Sequence, residues 1–381
     1  MKMDPAGLVV IAMLRVLGAG RMAGVAAAMG IAAAGHAQIM PERLYNGINR
    51  PLIVTIVAPE SDEPMLAIRL MRRDAAAASG WVVVAESAAS SGRADMASLF
   101  PILWTRSAPV LLYAQLFSAG EAIGPPVVLQ PMLTPERAAL MIERAAASPD
   151  GGPARVIPQI TQDAAQGRPM FESEQIRLRR LAGQAAADRE VVYTGIRAYV
   201  DRHLVFDTTL GEIEIMLRPD AAPNTAYTML HLSAGGFYEG VVFHRIVPRS
   251  STGHPFVIQA GDPSAGGSGG PGFMIDLEPS TLGHAFGVVS MARSGDPDSG
   301  GSQFFICLSQ AGTQRLDGRY TAFAQAVRGE DVIMAIAATP VDAAGRAADA
   351  PIIRTVRVVD APPAGQGPRP LAEPGTAPVE R

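Results

Sequence analysis

The sequence predicts a mostly β protein with two domains, an N-terminal β-sandwich of the immunoglobulin-like type and a C-terminal closed β-barrel capped by two helices. Short apolar runs recur in both halves of the chain, and Gly, Pro, Ser and Asp lie between them, which is the pattern of strands joined by turns. The length of 381 residues suits about two domains, and a hydrophobic content of 48% can fill their cores.

The composition argues against several classes of function. The formal net charge is −4 and the basic residues form no cluster, so we expect no nucleic-acid partner. The single cysteine, Cys307, has apolar neighbours that predict a buried core thiol. The sequence has no Cys/His cluster and no His-Glu-x-x-His spacing, so we expect neither a metal nor another cofactor.

Residues 1–37 have the composition of a secretory signal peptide. Arg15 and Arg21 supply positive charge, an uncharged apolar stretch follows, and the Gly-His-Ala at 35–37 offers small residues at a cleavage site. We therefore expect an extracytoplasmic protein, periplasmic or secreted, with no membrane span after cleavage. The alternative is an uncleaved anchor that also uses residues 8–17, although the two arginines interrupt it.

Residues 38–134 are assigned to the sandwich domain, whose role the sequence leaves open. Turn signals separate the short apolar runs of this region. The predicted strands lie at 52–57, 65–71, 81–85, 110–117 and 127–132.

Residues 135–190 are predicted to form a helical connector. Thr134 is a suitable N-cap for its first helix, and Pro135 is favourable at the first helical position. The helices are predicted at 135–147 and 172–188. At the other end of the chain, residues 361–381 are rich in Pro, Gly and Ala, which predicts a disordered tail.

The second domain, residues 191–360, is predicted to be a closed barrel of strands capped by two helices. Pro223 begins an amphipathic stretch at 225–233 that Gly235 ends, and a second short helix is predicted at 330–337. The Gly-rich segment that follows Asp262 lacks the Gly-Lys-Ser/Thr of a phosphate-binding loop and predicts a flexible loop. The predicted strands lie at 191–196, 198–204, 205–208, 212–217, 241–246, 256–259, 287–291, 303–308, 320–327 and 352–359.

Five segments of this domain carry a specific pattern when taken together. They read FHRIVP, FVIQAGD, GVVSMAR, SGGSQFFI and LDGRYTAF, and begin at residues 243, 256, 287, 299 and 316. In this order, within a domain of about 150 residues, they resemble the signature of the cyclophilin-type peptidyl-prolyl cis-trans isomerases, whereas any one of them alone would be weak. The resemblance implies a cyclophilin-like barrel and proline-containing polypeptides as partners.

The resemblance also implies roles for individual residues. Arg245 matches the catalytic arginine, which hydrogen-bonds the prolyl amide and carbonyl, and Gln259 matches the glutamine that orients it. Gln303 matches a polar contact to the substrate backbone. The remaining substrate-binding positions are Phe256, Val257, Phe305 and Leu316 around the proline ring, Ala292 and Arg293 at the edge that pairs with the substrate chain, and Tyr320 at the wall.

The chain departs from the family pattern around the entrance to the site. Seven residues, 249–255, stand where many members have a single glycine, so we expect an enlarged loop that narrows or extends the substrate groove. Arg315 stands where many members have the tryptophan that binds cyclosporin-type ligands, and this predicts weak sensitivity to them. Tyr320 replaces a common histidine, and Val257 replaces a common methionine.

Two functions from different classes are compatible with these residues. The first is an isomerase that accelerates X–Pro rotation in folding or secreted proteins, and the second is a weakly catalytic peptide-binding or scaffold module. A third possibility, a Ser-His-Asp triad of Ser290, His284 and Asp296, is discounted because no nucleophile elbow supports it. The oligomeric state is left open.

Overall fold

The computed structural model describes residues 37–59, 65–105, 110–134 and 192–375. Residues 1–36 of the predicted signal peptide and both predicted connector helices lie outside these ranges. Within them, every strand ladder is antiparallel. None of the described helices combines the length and the apolar character that a membrane span needs.

The first unit contains two sheets that share one core. A three-stranded sheet has the order β1-β3-β6, and a six-stranded sheet has the order β2-β9-β8-β7-β4-β5. Ile39 and Ile56 of the small sheet pack into the same cluster as Leu70, Leu116 and Leu129 of the large one. The immunoglobulin-like topology stays a prediction. The elements are β1 Gln38–Pro41, β2 Tyr45–Gly47, β3 Ile53–Val57, β4 Leu66–Arg73, β5 Trp81–Ala89, β6 Gly92–Asp95, α1 Met96–Leu99, α2 Ile102–Thr105, β7 Leu112–Ser118, β8 Glu121–Thr134 and β9 Val192–Val200.

Strand β9 lies in the first unit, whereas the sequence assigned residues from 191 onward to the second. It pairs with β8 along its whole length and with β2 through Tyr45–Gly47. An alternating apolar pattern predicts a strand but does not identify the strand with which it pairs. Only the long-range pairing with β8 and β2 assigns β9 to the first unit. The chain passes into the second unit at Asp201.

The second unit is built on one nine-stranded sheet with the order β12-β18-β10-β11-β17-β15-β16-β14-β13. The predicted strand at 241–246 is divided in two, and the predicted helices are present as α3 and α5. The elements are β10 Arg202–Thr208, β11 Gly211–Leu217, α3 Pro223–Ala234, β12 Val241–Val242, β13 Arg245–Arg249, β14 Pro255–Ala260, β15 Val288–Met291, β16 Phe304–Cys307, α4 Gln310–Thr313, a 3₁₀ turn Gln314–Leu316, β17 Ala322–Arg328, α5 Glu330–Ala337 and β18 Ile352–Asp360.

The two edges of this sheet lie close together in space. Strands β12 and β13 occupy opposite ends of the strand order, yet only Phe243 and His244 separate them in the chain. The sheet must therefore curl until its edges approach. No ladder joins β12 to β13 among the described residues, so full closure of the barrel stays a prediction.

Residues 361–375 are ordered, so the predicted disorder of the tail is wrong for them, while residues 376–381 lie outside the described ranges. The Ala364 N–H donates to Gln115 Oε1 (2.8 Å), and Gln366 Nε2 donates to the Ala122 carbonyl (2.9 Å), both in the first unit. Leu371 packs against the core of the second unit. Composition could not reveal these partners, because they lie far away in sequence.

A buried polar cluster joins the two units. The Tyr113 hydroxyl donates to Asp220 (3.1 Å), and Arg218 makes two hydrogen bonds to the same carboxylate (2.9 and 2.7 Å). Asp201 is nearby and only 5% exposed. Burial raises the pKa of Asp201 to about 7, although the charge of Arg73 and the N–H of Arg202 oppose the shift.

We predict that Asp201→Asn stabilises the protein at alkaline but not at acidic pH. The folded-state pKa of Asp201 lies above its ordinary value of 3.8, because folding favours the neutral carboxyl. The contribution of Asp201 to stability is therefore fully present below pH 3.8 and is lost as the pH rises through about 7. Urea unfolding should show the variant more stable than the wild type by on the order of 2 kcal/mol at pH 8, with the difference shrinking toward pH 4. Asp207→Asn, at a partly exposed ion pair with Arg354, is the control and should show a nearly constant difference. A constant difference for Asp201→Asn would contradict the assignment.

Candidate functional site

Four antiparallel strands place three of the predicted site residues in one row with Ser290. Arg245 on β13 lies opposite Gln259 on β14, Gln259 lies opposite Phe305 on β16, and Phe305 lies opposite Ser290 on β15. Directly opposed residues of an antiparallel ladder share a face, so these four side chains lie on the same side of the sheet.

The adjacent positions form a second row on the opposite face. Ile246 pairs with Ile258, Ile258 with Ile306, and Ile306 with Val289. All four are buried in the central core of the second unit. Both faces of β16 are therefore covered, which explains why its sequence, Phe-Phe-Ile-Cys, contains no charged residue.

A cavity of about 520 Å³ opens over the first row. That volume is within the usual range of ligand sites. Nine of the ten predicted site residues line it, and Gln303 does not. The lining comprises Arg245, Phe256, Val257, Gln259, Ala292, Arg293, Phe305, Arg315, Leu316, Arg319 and Tyr320.

The floor of the cavity is apolar and buried. Val257 and Phe305 are 2% and 5% exposed and belong to a small cluster with Cys307. The ring of Tyr320 meets Phe305 edge to face, with the centroids 5.6 Å apart. Burial raises the pKa of the Cys307 thiol well above its ordinary value, so this thiol is not a nucleophile.

A chain of hydrogen bonds holds the guanidinium of Arg245. Arg245 Nη1 donates to Gln259 Oε1 (3.2 Å), and Gln259 Nε2 donates to Gln303 Oε1 (3.0 Å). Gln303 Nε2 in turn donates to the carbonyls of Gly267 (3.1 Å) and Gly269 (2.8 Å). Gln303 thus orients Gln259, and its contact with the substrate backbone stays a prediction.

The Gly-rich segment that supplies these carbonyls is folded around Asp262. The Asp262 carboxylate accepts hydrogen bonds from the N–H and hydroxyl of Ser264 and from the N–H groups of Gly267 and Gly269. Burial opposes ionisation, but these donors outweigh it and lower the pKa of Asp262 to about 2. A Cβ on Gly269 would lie 2.1 Å from Asp262 Oδ1, so glycine is required there. The segment is thus ordered, whereas the sequence predicted a flexible loop.

His284 and Ser290 meet as proposed for a triad, but the acidic partner is Asp317 and not Asp296. His284 Nδ1 lies 2.7 Å from Asp317 Oδ1, and His284 Nε2 lies 3.0 Å from Ser290 Oγ. Ser290 is fully buried, so no substrate can reach its hydroxyl. The imidazole stacks on Phe305 with the centroids 6.0 Å apart. The hydrogen-bonded residues Asp317, His284 and Ser290 therefore support the cavity floor and do not form a nucleophilic site.

The inserted residues 249–255 extend the β13–β14 hairpin. Arg249 pairs with Pro255, and the Ser250 N–H donates to the His254 carbonyl (2.7 Å). Arg249 Nη1 closes the turn on the Gly253 carbonyl (2.8 Å). None of the inserted residues lines the cavity. The expected narrowing or extension of the groove by this loop is therefore not seen.

Two further lining residues complete the entrance. Arg315, at the position where the resemblance expects tryptophan, places its guanidinium 5.0 Å from the centroid of the Phe256 ring. Arg319 lines the cavity, but the sequence had given it no role. A functional signal was its position inside a quoted motif, between Leu316 and Tyr320.

The chemistry of the lining is non-covalent. The residues that line the cavity include no carboxylate, imidazole, thiol or aliphatic hydroxyl. No group of three or more potential metal ligands of the His, Cys, Asp and Glu types occurs in the described parts of the chain. The lining offers guanidinium and amide donors above an apolar floor, an arrangement that binds and polarises an amide.

The family model and the sequence relatives agree on one family. Residues 203–358 match the model of the family "Cyclophilin type peptidyl-prolyl cis-trans isomerase/CLD". The chain is 36% identical to peptidyl-prolyl cis-trans isomerase-like 1 of Aspergillus fumigatus over 162 residues, which is 41% of this chain and 95% of that protein. It is 40% identical to a peptidyl-prolyl cis-trans isomerase of Synechococcus elongatus over 121 residues, 32% of this chain and 77% of that protein. A solved Cryptosporidium parvum cyclophilin-type isomerase aligns with a TM-score of 0.39 at 29% identity, covering 42% of this chain and 99% of that one.

We predict that Asp262→Asn disorders the Gly-rich segment and releases both glutamines. An asparagine offers one acceptor oxygen and a donor in place of two acceptor oxygens, so it cannot hold four donors. The side-chain amide resonances of Gln259 and Gln303 should shift and broaden in NMR spectra, and the protein should lose about 1–3 kcal/mol of stability. Asp74→Asn, at a turn carboxylate of the first unit, should leave both resonances in place. Unchanged glutamine resonances in Asp262→Asn would refute the chain of hydrogen bonds.

Proposed function

The chain belongs to the cyclophilin-type peptidyl-prolyl cis-trans isomerase family, and from this premise we propose that it accelerates X–Pro rotation through the guanidinium of Arg245. The observation that carries the proposal is the position of Arg245, oriented by Gln259 at the edge of a cavity that has an apolar floor and no carboxylate or imidazole in its lining. Isomerisation breaks no covalent bond, so neither a nucleophile nor a general base is needed.

The barrier of the reaction explains why a cation is useful. Delocalisation of the nitrogen lone pair into the carbonyl gives the C–N bond partial double-bond character and a barrier of about 18–20 kcal/mol. Twisting the amide returns the lone pair to the prolyl nitrogen, where a hydrogen-bond donor stabilises it. A donor that acts on the twisted form more strongly than on the planar form lowers the barrier. A guanidinium suits this role because it stays protonated throughout the physiological range.

The geometry around Arg245 matches that requirement. Only one of its N–H groups is used by a described residue, the one that bonds Gln259, so the others are available to the cavity. Gln259 is itself fixed by Gln303, which limits the motion of the guanidinium before substrate arrives. The floor of Val257 and Phe305 can bury a proline ring and hold it while the preceding amide turns.

A peptide-binding or scaffold function is the second candidate. The first unit favours it, because Gln130 Nε2 donates to Asn224 Oδ1 (3.0 Å) and Tyr113 to Asp220, which fixes an additional surface beside the isomerase unit. A scaffold would bind proline-containing peptides without accelerating their isomerisation. The same measurements that test Arg245 therefore separate the two functions.

We also propose an extracytoplasmic location, with folding or secreted proteins as substrates. The support is the sequence of residues 1–37, with its arginines, apolar stretch and small residues before Gln38. Expression in a secreting bacterial host should yield a mature chain that begins at Gln38, as read by intact mass. A protein that retains residues 1–37 and is recovered in the membrane fraction would favour the uncleaved anchor.

We predict that Arg245→Ala lowers kcat/KM for a proline peptide by roughly a hundredfold, the usual cost of removing one oriented donor. Exchange NMR on a short peptide measures the rate without a coupled protease. The kcat/KM of Arg245→Lys should fall between those of the wild type and Arg245→Ala, because a lysine keeps the charge and loses the planar fork of N–H donors. Arg354→Ala, which removes a partly exposed arginine outside the cavity, is the matched control and should behave as wild type. An Arg245→Ala enzyme with the wild-type rate would falsify the mechanism, whereas wild-type binding without acceleration would favour the scaffold.

A further inference from the structure

The cavity is strongly positive although the chain as a whole is negative. Four guanidinium groups line it, those of Arg245, Arg293, Arg315 and Arg319, with no carboxylate among the lining residues. The formal net charge of the whole chain is −4. A cleft of one sign with apolar walls concentrates ligands of the opposite sign.

The four arginines differ from most others in the described part of the chain. None of them forms an ion pair with a carboxylate of the described residues. Arginines that do form such pairs are Arg69, Arg72, Arg73, Arg93, Arg202, Arg218, Arg328, Arg346, Arg354 and Arg357. The positive charge of the cavity is therefore available to a ligand.

Aromatic rings support two of these guanidinium groups. Arg315 lies over Phe256 at 5.0 Å, and Arg293 lies over Tyr320 at 4.5 Å. Arg293 is also fixed by donating to the carbonyls of Arg319 (3.0 Å) and Ser294 (2.9 Å). A guanidinium that rests on an aromatic face keeps N–H groups at its edge for a carboxylate, with little further loss of freedom on binding.

Nearby carboxylates neutralise this charge only in part. Asp317 lies between Arg315 and Arg319 in sequence, but its Oδ1 accepts from the backbone N–H of His284 (2.8 Å) and contacts the imidazole. Asp276 lines a smaller cleft together with Arg293, and this cleft includes neither Arg315 nor Arg319. Arg315 and Arg319 are exposed at the entrance with no carboxylate in the lining beside them.

We propose that the site selects X–Pro segments that carry a carboxylate within about two residues of the proline, bound by the entrance arginines Arg315 and Arg319. The inference rests on the proposed isomerase function and names its substrate class. A peptide is favoured over a nucleic acid as the ligand because the floor beneath the arginines is the apolar surface of Val257 and Phe305. In a segment with an acidic residue beside a proline, the proline ring contacts the apolar floor and the carboxylate binds the entrance arginines.

The test compares two peptides that differ only in having Glu or Gln on both sides of the residue pair Ala-Pro. Exchange NMR on the full chain should give a kcat/KM for the Glu peptide that is roughly three- to tenfold higher, the range expected for a few exposed ion pairs. The ratio should approach one as salt rises from about 0.1 M to about 1 M, because the Debye length falls from about 10 Å to about 3 Å.

The paired variant Arg315→Gln, Arg319→Gln should bring the Glu-to-Gln ratio close to one. The matched control is Arg328→Gln, Arg354→Gln, which removes the same charge outside the cavity and should keep the wild-type ratio. A wild-type ratio of one, or a ratio insensitive to salt, overturns the inference while leaving the isomerase function intact. Failure to accelerate either peptide overturns the isomerase function itself. Inhibition by a single-stranded oligonucleotide at lower concentration than by the Glu peptide would point to nucleic acid and also overturn the inference.

Discussion

The site depends on the strand register in which Arg245, Gln259, Phe305 and Ser290 face one another across β13, β14, β16 and β15. Because side chains alternate along a strand, a slip of one residue would turn this whole row into the core and expose Ile258 and Ile306 instead. The buried isoleucines therefore fix the register, and the register fixes the distance between the cation and the apolar floor. Stability and function are set here by the same ladder.

Asp201 and Asp262 show how local hydrogen bonding decides the charge of a buried carboxylate. Both are buried, with exposures of 5% and 0%. Asp262 accepts from four donors and its pKa falls to about 2, whereas Asp201 accepts one hydrogen bond from the Arg202 N–H and its pKa rises to about 7. The first carboxylate organises the loop behind Gln303, and the second gives the junction between the units a dependence on pH.

The sequence predicted most strands and both principal helices of the second unit, because alternation and end signals such as Pro223 and Gly235 are local. It also predicted nine of the residues that line the cavity, through motifs whose order is specific. It did not predict the partner of β9, the docking of Leu371, or the choice of Asp317 over Asp296 by His284. Each of these depends on a contact between distant segments, and nothing in the local composition encodes it. The prediction of a flexible Gly-rich segment was wrong for a related reason, because the segment is ordered by hydrogen bonds to the single carboxylate of Asp262.

The proposed reaction and the proposed selectivity depend on different layers of the site. The floor and the Arg245–Gln259 pair lie on regular strands, whose geometry the core dictates. In the proposed mechanism they hold the proline and stabilise the twisted amide. The entrance is built from the segment between α4 and β17, where Arg315, Arg319 and Tyr320 are held by a turn and by aromatic contacts. Substitutions in that segment can change the charge at the entrance without moving the ladder beneath it. The proposed chemistry therefore depends on the sheet, and the proposed choice of substrate depends on the turn above it.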